Sequence, residues 1–120
     1  MTKLVLIVDG DADLMIGCAR LLEQAGFETQ LASSLEDAIH LLHSLDVALV
    51  LTEIDFSDGQ DGLKLTEFVQ RTFPLTPVVM MSGYDSNELE GLARDSGATK
   101  VLHKPFTAEE LISCAKGLLG

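Results

Sequence analysis

Three short apolar runs constrain this chain more than any other feature. They are residues 3–8 (KLVLIV), 47–51 (VALVL) and 78–81 (VVMM). Each is too short for a helix that carries its own stability. Aliphatic runs without polar alternation suit strands buried on both faces. Between the runs lie segments whose apolar residues recur at helical spacing. A chain that alternates buried strand with amphipathic helix is driven to a parallel sheet with helices on both faces.

Strand 1 is residues 3–8, followed at once by Asp9, Gly10, Asp11 and Asp13. Asp11 is placed to cap helix 1, whose apolar positions are Leu14, Cys18, Leu21 and Ala25. Gly26 stands where a helix stops in the left-handed conformation. Phe27, Thr29 and Leu31 alternate with Glu28 and Gln30, which predicts an edge strand 2 with one wetter face. Ser34 and Asp37 resemble a capping box for helix 2, which carries Ala38, Leu41, Leu42 and Leu45. Strand 3 ends abruptly at Thr52 and Glu53, and a loop with Asp55, Asp58 and Asp61 follows. Helix 3 covers residues 63–73 and is ended by Pro74. Strand 4 stops at Ser82-Gly83. Asp85 and Glu88 form a capping box for helix 4, which ends at Gly97. Strand 5 is residues 99–103, followed by Lys104, Pro105 and Phe106. Thr107 and Glu110 cap helix 5, which carries Leu111, Ile112, Cys114, Ala115, Leu118 and Leu119.

Five strand–helix units predict an α/β fold, a flavodoxin-like (βα)5 three-layer sandwich with a parallel sheet of order 2-1-3-4-5. Residues 1–120 read as a single domain, with no linker and no repeat beyond the alternation itself. The net charge of −11 weighs against nucleic acid or an anionic membrane as a direct partner. No apolar run approaches the ~20 residues of a membrane span. Asp9 interrupts the first apolar run and no small-residue cleavage site follows, so a cytoplasmic location is expected. Cys18 and Cys114 are expected to be buried apolar side chains. His40 and His43 share a helix face and read as solvated. His103 either lines the crevice beside Lys104 or simply occupies a strand position.

Parallel strands bring all their carboxyl ends to one edge. That gathers Asp9, Gly10 and Asp11 from strand 1, Glu53 and Asp55 from strand 3, Ser82 from strand 4 and Lys104 from strand 5. A charge at the end of a buried strand is costly unless it faces a cleft or a partner. The acids suit a hard cation such as magnesium, which prefers oxygen ligands. The hydroxyl and the ammonium suit an anion such as a phosphoryl group. The charged loop DGDAD after strand 1 repels phosphate, which excludes a flavin-binding redox protein.

Over its full length the chain resembles the receiver (CheY-like) domain of two-component response regulators. The motifs LIVDGD, LVLTEIDFSDGQDGL, PVVMMSGYD and ATKVLHKPF carry the resemblance, in order and at fitting spacings. In such receivers two acids after strand 1 and an aspartate ending strand 3 bind magnesium. That aspartate accepts a phosphoryl group from a histidine kinase. A Ser or Thr after strand 4 and a Lys after strand 5 contact its oxygens, and an aromatic residue on strand 5 reports the change. The resemblance assigns Asp9 as the first acid, Ser82 as the hydroxyl and Lys104 as the ammonium. It assigns Pro105 as the proline whose preceding bond is usually cis in the family. Gly10 stands where the second acid belongs, Glu53 where the phosphoacceptor belongs, and Val101 where the switch aromatic belongs. The loop from Glu53 to Asp61 is one residue longer than the commonest form.

These departures imply a pseudo-receiver, not an enzyme, that works by protein contacts without aspartyl phosphorylation. Helix 4, strand 5 and helix 5 are the face such domains present to a histidine kinase or an output domain. No cofactor is expected beyond weak or absent magnesium binding at Asp9. The Glu53 carboxylate reaches roughly 1.5 Å further than that of Asp. It either imitates a phosphoaspartate weakly, with less charge and fewer oxygens, or neutralises Lys104 in a dead site. Glu53 and Lys104 are expected within salt-bridge reach of each other. The competing reading keeps phosphorylation at a nearby aspartate, Asp55 or Asp58.

Overall fold

The computed structural model describes residues 2–55, 61–83 and 87–120. The strands are β1 (Leu4–Val8), β2 (Glu28–Ala32), β3 (Val47–Glu53), β4 (Val78–Ser82) and β5 (Lys100–His103). The helices are α1 (Ala12–Gln24), α2 (Leu35–Ser44), α3 (Asp61–Thr72), α4 (Asn87–Asp95) and α5 (Ala108–Leu119). All strand pairs are parallel, in the order β2-β1-β3-β4-β5. This is the flavodoxin-like arrangement that the strand–helix alternation predicts.

Successive strand residues point to opposite faces, so each buried strand feeds two cores. Val5, Ile7, Leu51 and Met81 pack under α1 and α5 with Cys18, Leu22, Leu111 and Cys114. Leu6, Val8 and Val50 pack on the other side with Ala38, Leu42, Leu65 and Val69 of α2 and α3. A smaller cluster joins Ile54, Leu63, Met80 and Ala93, with Val101 packed against it. Both cysteines are free and buried, as expected. Among the described residues no helix is long and apolar enough to cross a membrane.

The helix ends follow local chemistry. Asp11 Oδ1 accepts the N–H groups of Asp13 and Leu14 at 3.0 and 3.2 Å, capping α1. Ser34 Oγ accepts the Asp37 N–H at 3.1 Å, the forward half of the expected box. Thr107 and Glu110 close both halves at α5. Gly26 and Gly97, at φ 102° and 109°, follow α1 and α4 in the left-handed region that favours glycine. The Asp85–Glu88 box lies outside the described residues.

Several expected boundaries and faces are corrected. Helix α1 buries Met15, Cys18, Ala19 and Leu22, while Leu14, Leu21 and Ala25 are only partly covered. Apolar residues at neighbouring positions widen the stripe, and its centre falls one residue further on. Phe27 is buried but precedes β2, and Leu31 is exposed because β2 has no neighbour on its outer side. Leu45 follows α2 and is exposed. Helix α3 begins at Asp61, two residues before the expected Leu63, and ends at Thr72. Strand β5 begins at Lys100 rather than Thr99. His43 is exposed, yet its ring stands edge-on to Phe68 and Phe73 at 5.7 and 5.6 Å.

Candidate functional site

The parallel register places Val8 beside Thr52, Glu53 beside Met81, and Ser82 beside His103. The residues leaving β1, β3 and β5 therefore meet at one edge. Asp9 follows β1 directly and is 1% exposed. Both its oxygens are engaged. Oδ1 accepts the Asp11 N–H at 2.9 Å, and Oδ2 accepts from Lys104 Nζ at 3.0 Å. Glu53 Oε1 lies 3.6 Å from the same Nζ, and Glu53 Oε2 accepts the Gly10 N–H at 3.4 Å.

Lys104 thus bridges two carboxylates. Its reach to Glu53 is as the sequence predicts. Its shorter contact, to Asp9, is one that sequence reasoning did not assign. Strand order says which residues share an edge, but not which way a long side chain turns. The Lys104 backbone is fixed by its N–H, which donates to the Ser82 carbonyl at 2.7 Å. The peptide bond that follows, to Pro105, is cis. Ser82 itself is buried at the end of β4.

An open cavity of about 620 Å³ lies above these groups. Asp9, Asp11, Asp13, Glu53, Asp55 and Lys104 are among the residues lining it. Asp11 is held by its capping bonds and Asp55 is exposed just after β3. Asp58 lies outside the described residues. Val101 sits away from this mouth, half-buried against the Ile54–Met80–Ala93 cluster. His103 Nε2 lies 3.6 Å from Glu90 Oε1, so the histidine faces α4 rather than the crevice.

Sequence reasoning also missed Gly62. The first turn of α3 presses against the exit of β3, and the Gly62 N–H donates to the Ile54 carbonyl at 2.8 Å. A Cβ at this position would overlap the Glu53 carbonyl oxygen. It would also stand 2.6 and 2.7 Å from the Ile54 oxygen and Cα. The signal was present as a glycine next to Asp61, but it reads equally well as loop punctuation.

The charges perturb one another. Burial, then the hydrogen bond and negative charge of Asp9, push the Glu53 carboxyl up to about 7. Lys104 and the Gly10 N–H offset this only in part. Burial also pushes Asp9 up, but hydrogen bonds from Glu53, the Asp11 N–H and Lys104, with the lysine's charge, outweigh it. They hold the Asp9 carboxyl below its ordinary value. Of the two acids, Glu53 is the one whose charge changes near neutrality.

The donor set does not suit a magnesium ion. Magnesium wants several oxygen ligands in near-octahedral geometry. Here Gly10 contributes no side chain, and both Asp9 oxygens already accept hydrogen bonds. A cation at Asp9 would have to displace the Lys104 ammonium. Among the described residues, no group of three or more His, Cys, Asp or Glu side chains is placed to hold a metal.

A flavodoxin-like sheet with acids, a hydroxyl and a lysine at its strand ends defines a signalling module of the receiver class. The response regulator receiver domain family matches residues 5–116, and the chain belongs to that family. It is 31% identical over 113 residues to a putative response regulator NtrX-like protein of Rickettsia bellii (strain RML369-C). That match covers 93% of this chain and 24% of the relative. It is 28% identical over 115 residues to the photosynthetic apparatus regulatory protein RegA of Rhodobacter capsulatus, covering 94% of this chain and 62% of RegA. The crystal structure of NtrX from Brucella abortus superposes with a TM-score of 0.92 at 32% identity, over 99% of this chain and 27% of that one. The chain spans about a quarter of the length of the NtrX-like relatives.

Proposed function

We propose that this chain is a pseudo-receiver, a two-component signalling domain that works through protein contacts without aspartyl phosphorylation. The observation that carries the reading is the Lys104 bridge. The ammonium that a phosphoryl group would need is already shared between Asp9 at 3.0 Å and Glu53 at 3.6 Å. At the acceptor position the longer Glu53 arm misplaces an attacking oxygen, and in-line transfer tolerates little misplacement. Gly10 removes an acid that would hold the neutralising metal. Glu53 falls short of a phosphoaspartate, because a carboxyl raised to about 7 is only part-charged near neutrality, and Asp9, at 3.0 Å, is the nearer counter-ion of Lys104. The domain is not itself an enzyme and acts in the cytoplasm. Its partners are a histidine kinase or an output domain, met through α4, β5 and α5.

The test is incubation with acetyl phosphate and magnesium, followed by intact-mass measurement. The wild type gains no mass. Glu53→Asp with Gly10→Asp gains about 80 Da, one phosphoryl group, because Ser82 and Lys104 remain in place. Glu53→Asp alone recovers less, since the metal site is still short of a ligand. Wild-type labelling mapped to Asp55 or Asp58 would instead establish the alternative acceptor.

A further inference from the structure

We propose that Gly62 is a positioning residue for the Glu53 carboxylate. This deepens the reading above, since it concerns how the Glu53–Lys104 contact is kept in place. Glu53 is the last residue of β3, so its side chain has no strand beyond it to hold its direction. The backbone at and after Glu53 is fixed instead by two neighbours. The Ile54 N–H donates to the Met81 carbonyl at 3.2 Å, and the Ile54 carbonyl accepts the Gly62 N–H at 2.8 Å.

The second contact exists only because residue 62 lacks a side chain. The atoms a Cβ would meet there are the backbone of Glu53 and Ile54, not the far end of a flexible side chain. Either α3 or the end of β3 must move to admit it. On the α3 side, movement is opposed by several contacts. Thr66 Oγ1 donates to the Gly62 carbonyl at 2.8 Å. Leu63 is buried with Ile54, Met80 and Ala93. Thr66, Leu65 and Val69 are fully buried. The more open side is the crevice, where the Glu53 side chain is 27% exposed. A side chain at 62 therefore shifts the Glu53 backbone. It displaces the carboxylate relative to Lys104 Nζ and the Gly10 N–H, which it meets at 3.6 and 3.4 Å.

The experiment is NMR of the full chain, comparing wild type with Gly62→Ala. The reporters are the Gly10 amide and the Lys104 Nζ, which Glu53 touches through its side chain. Gly117→Ala is the control, because a Cβ there meets nothing within 4 Å. Gly62→Ala is expected to shift both reporters well beyond the control, while amides of β2 and α5 keep their positions. In the Glu53→Asp, Gly10→Asp background it should slow acetyl-phosphate labelling on the order of tenfold to a hundredfold. If Gly62→Ala does not fold, Thr66→Val loosens the same turn without a clash and should shift the same two reporters. A folded Gly62→Ala, or Thr66→Val in its stead, with the Gly10 and Lys104 signals unmoved would overturn the proposal. Wild-type labelling by acetyl phosphate would defeat the pseudo-receiver reading but leave these NMR shifts intact, so the two failures are distinguishable.

Discussion

Two ion clusters in this domain have the same connectivity and opposite settings. In the crevice one cation, Lys104, lies between two carboxylates, Asp9 and Glu53. Between α4 and β5 one carboxylate, Glu90, lies between Arg94 and His103, both at 3.6 Å. The crevice cluster is shielded, with side chains 1% exposed for Asp9, 21% for Lys104 and 27% for Glu53. The α4–β5 cluster is open, with Arg94 69% and His103 45% exposed, and His103 counts as a cation only when protonated. Burial decides what such clusters are worth. Water screens the open one and its long side chains lose rotamer entropy. In the shielded one Asp9, 1% exposed, depends on Lys104, because removing the lysine leaves a buried carboxylate with little water and no counter-ion.

Four substitutions sharpen or break that contrast. Lys104→Met has the largest expected effect, a loss of about 2–3 kcal/mol in urea denaturation at neutral pH. It strands the nearly inaccessible Asp9 carboxylate. A loss no larger than that of a surface pair would abolish the distinction between the clusters. Asp9→Asn comes next. Asp9 raises Glu53 both by hydrogen bonding and by its charge. Without that charge, the Glu53 carboxyl should fall from about 7 toward 4.5, as read by carbon-13 titration of its side chain.

Glu53→Gln carries a definite pH signature. The folded-state pKa of Glu53 is raised from 4.5 to about 7, so the folded protein binds that proton more tightly than the unfolded chain. This contribution is fully present below about pH 4.5 and is lost as pH rises through about 7. The glutamine amide that replaces the carboxyl has no such proton to lose. The variant should therefore gain on the wild type across this window, reaching on the order of 1 kcal/mol by about pH 8 after allowance for solvent screening. Denaturation at about pH 5 and about pH 8 tests it, and a gain that shrinks with rising pH would reverse the assignment. The smallest effect belongs to the open cluster. Arg94→Ala should change stability by about 0.5 kcal/mol or less at any salt concentration.

The order of the elements is legible because three apolar runs too short for self-supporting helices, and one alternating segment, are separated by stretches of helical spacing. With five parallel strands, the meeting of Asp9, Glu53, Ser82 and Lys104 at one edge follows. What the residues do not disclose is finer. The buried face of α1 is centred on Met15, Ala19 and Leu22 because adjacent apolar positions leave the helical phase open. The first turn of α3 includes Gly62, which in sequence looks like part of the loop. The choice of Asp9 as the nearer partner of Lys104 depends on side-chain direction, which spacing does not encode.

The crevice mouth has one more consequence, in the kinetics of encounter. Five of the residues lining it carry carboxyl groups and one carries an ammonium. Low-dielectric walls focus such a field into the space above the opening, over a range set by the Debye length, roughly 8 Å at physiological ionic strength. A small anionic donor is slowed before it touches any side chain, and added salt hastens its arrival. A basic loop on a partner protein is drawn in by the same field, and added salt slows it. The mouth therefore sorts visitors by the sign of their charge, ahead of any recognition by shape.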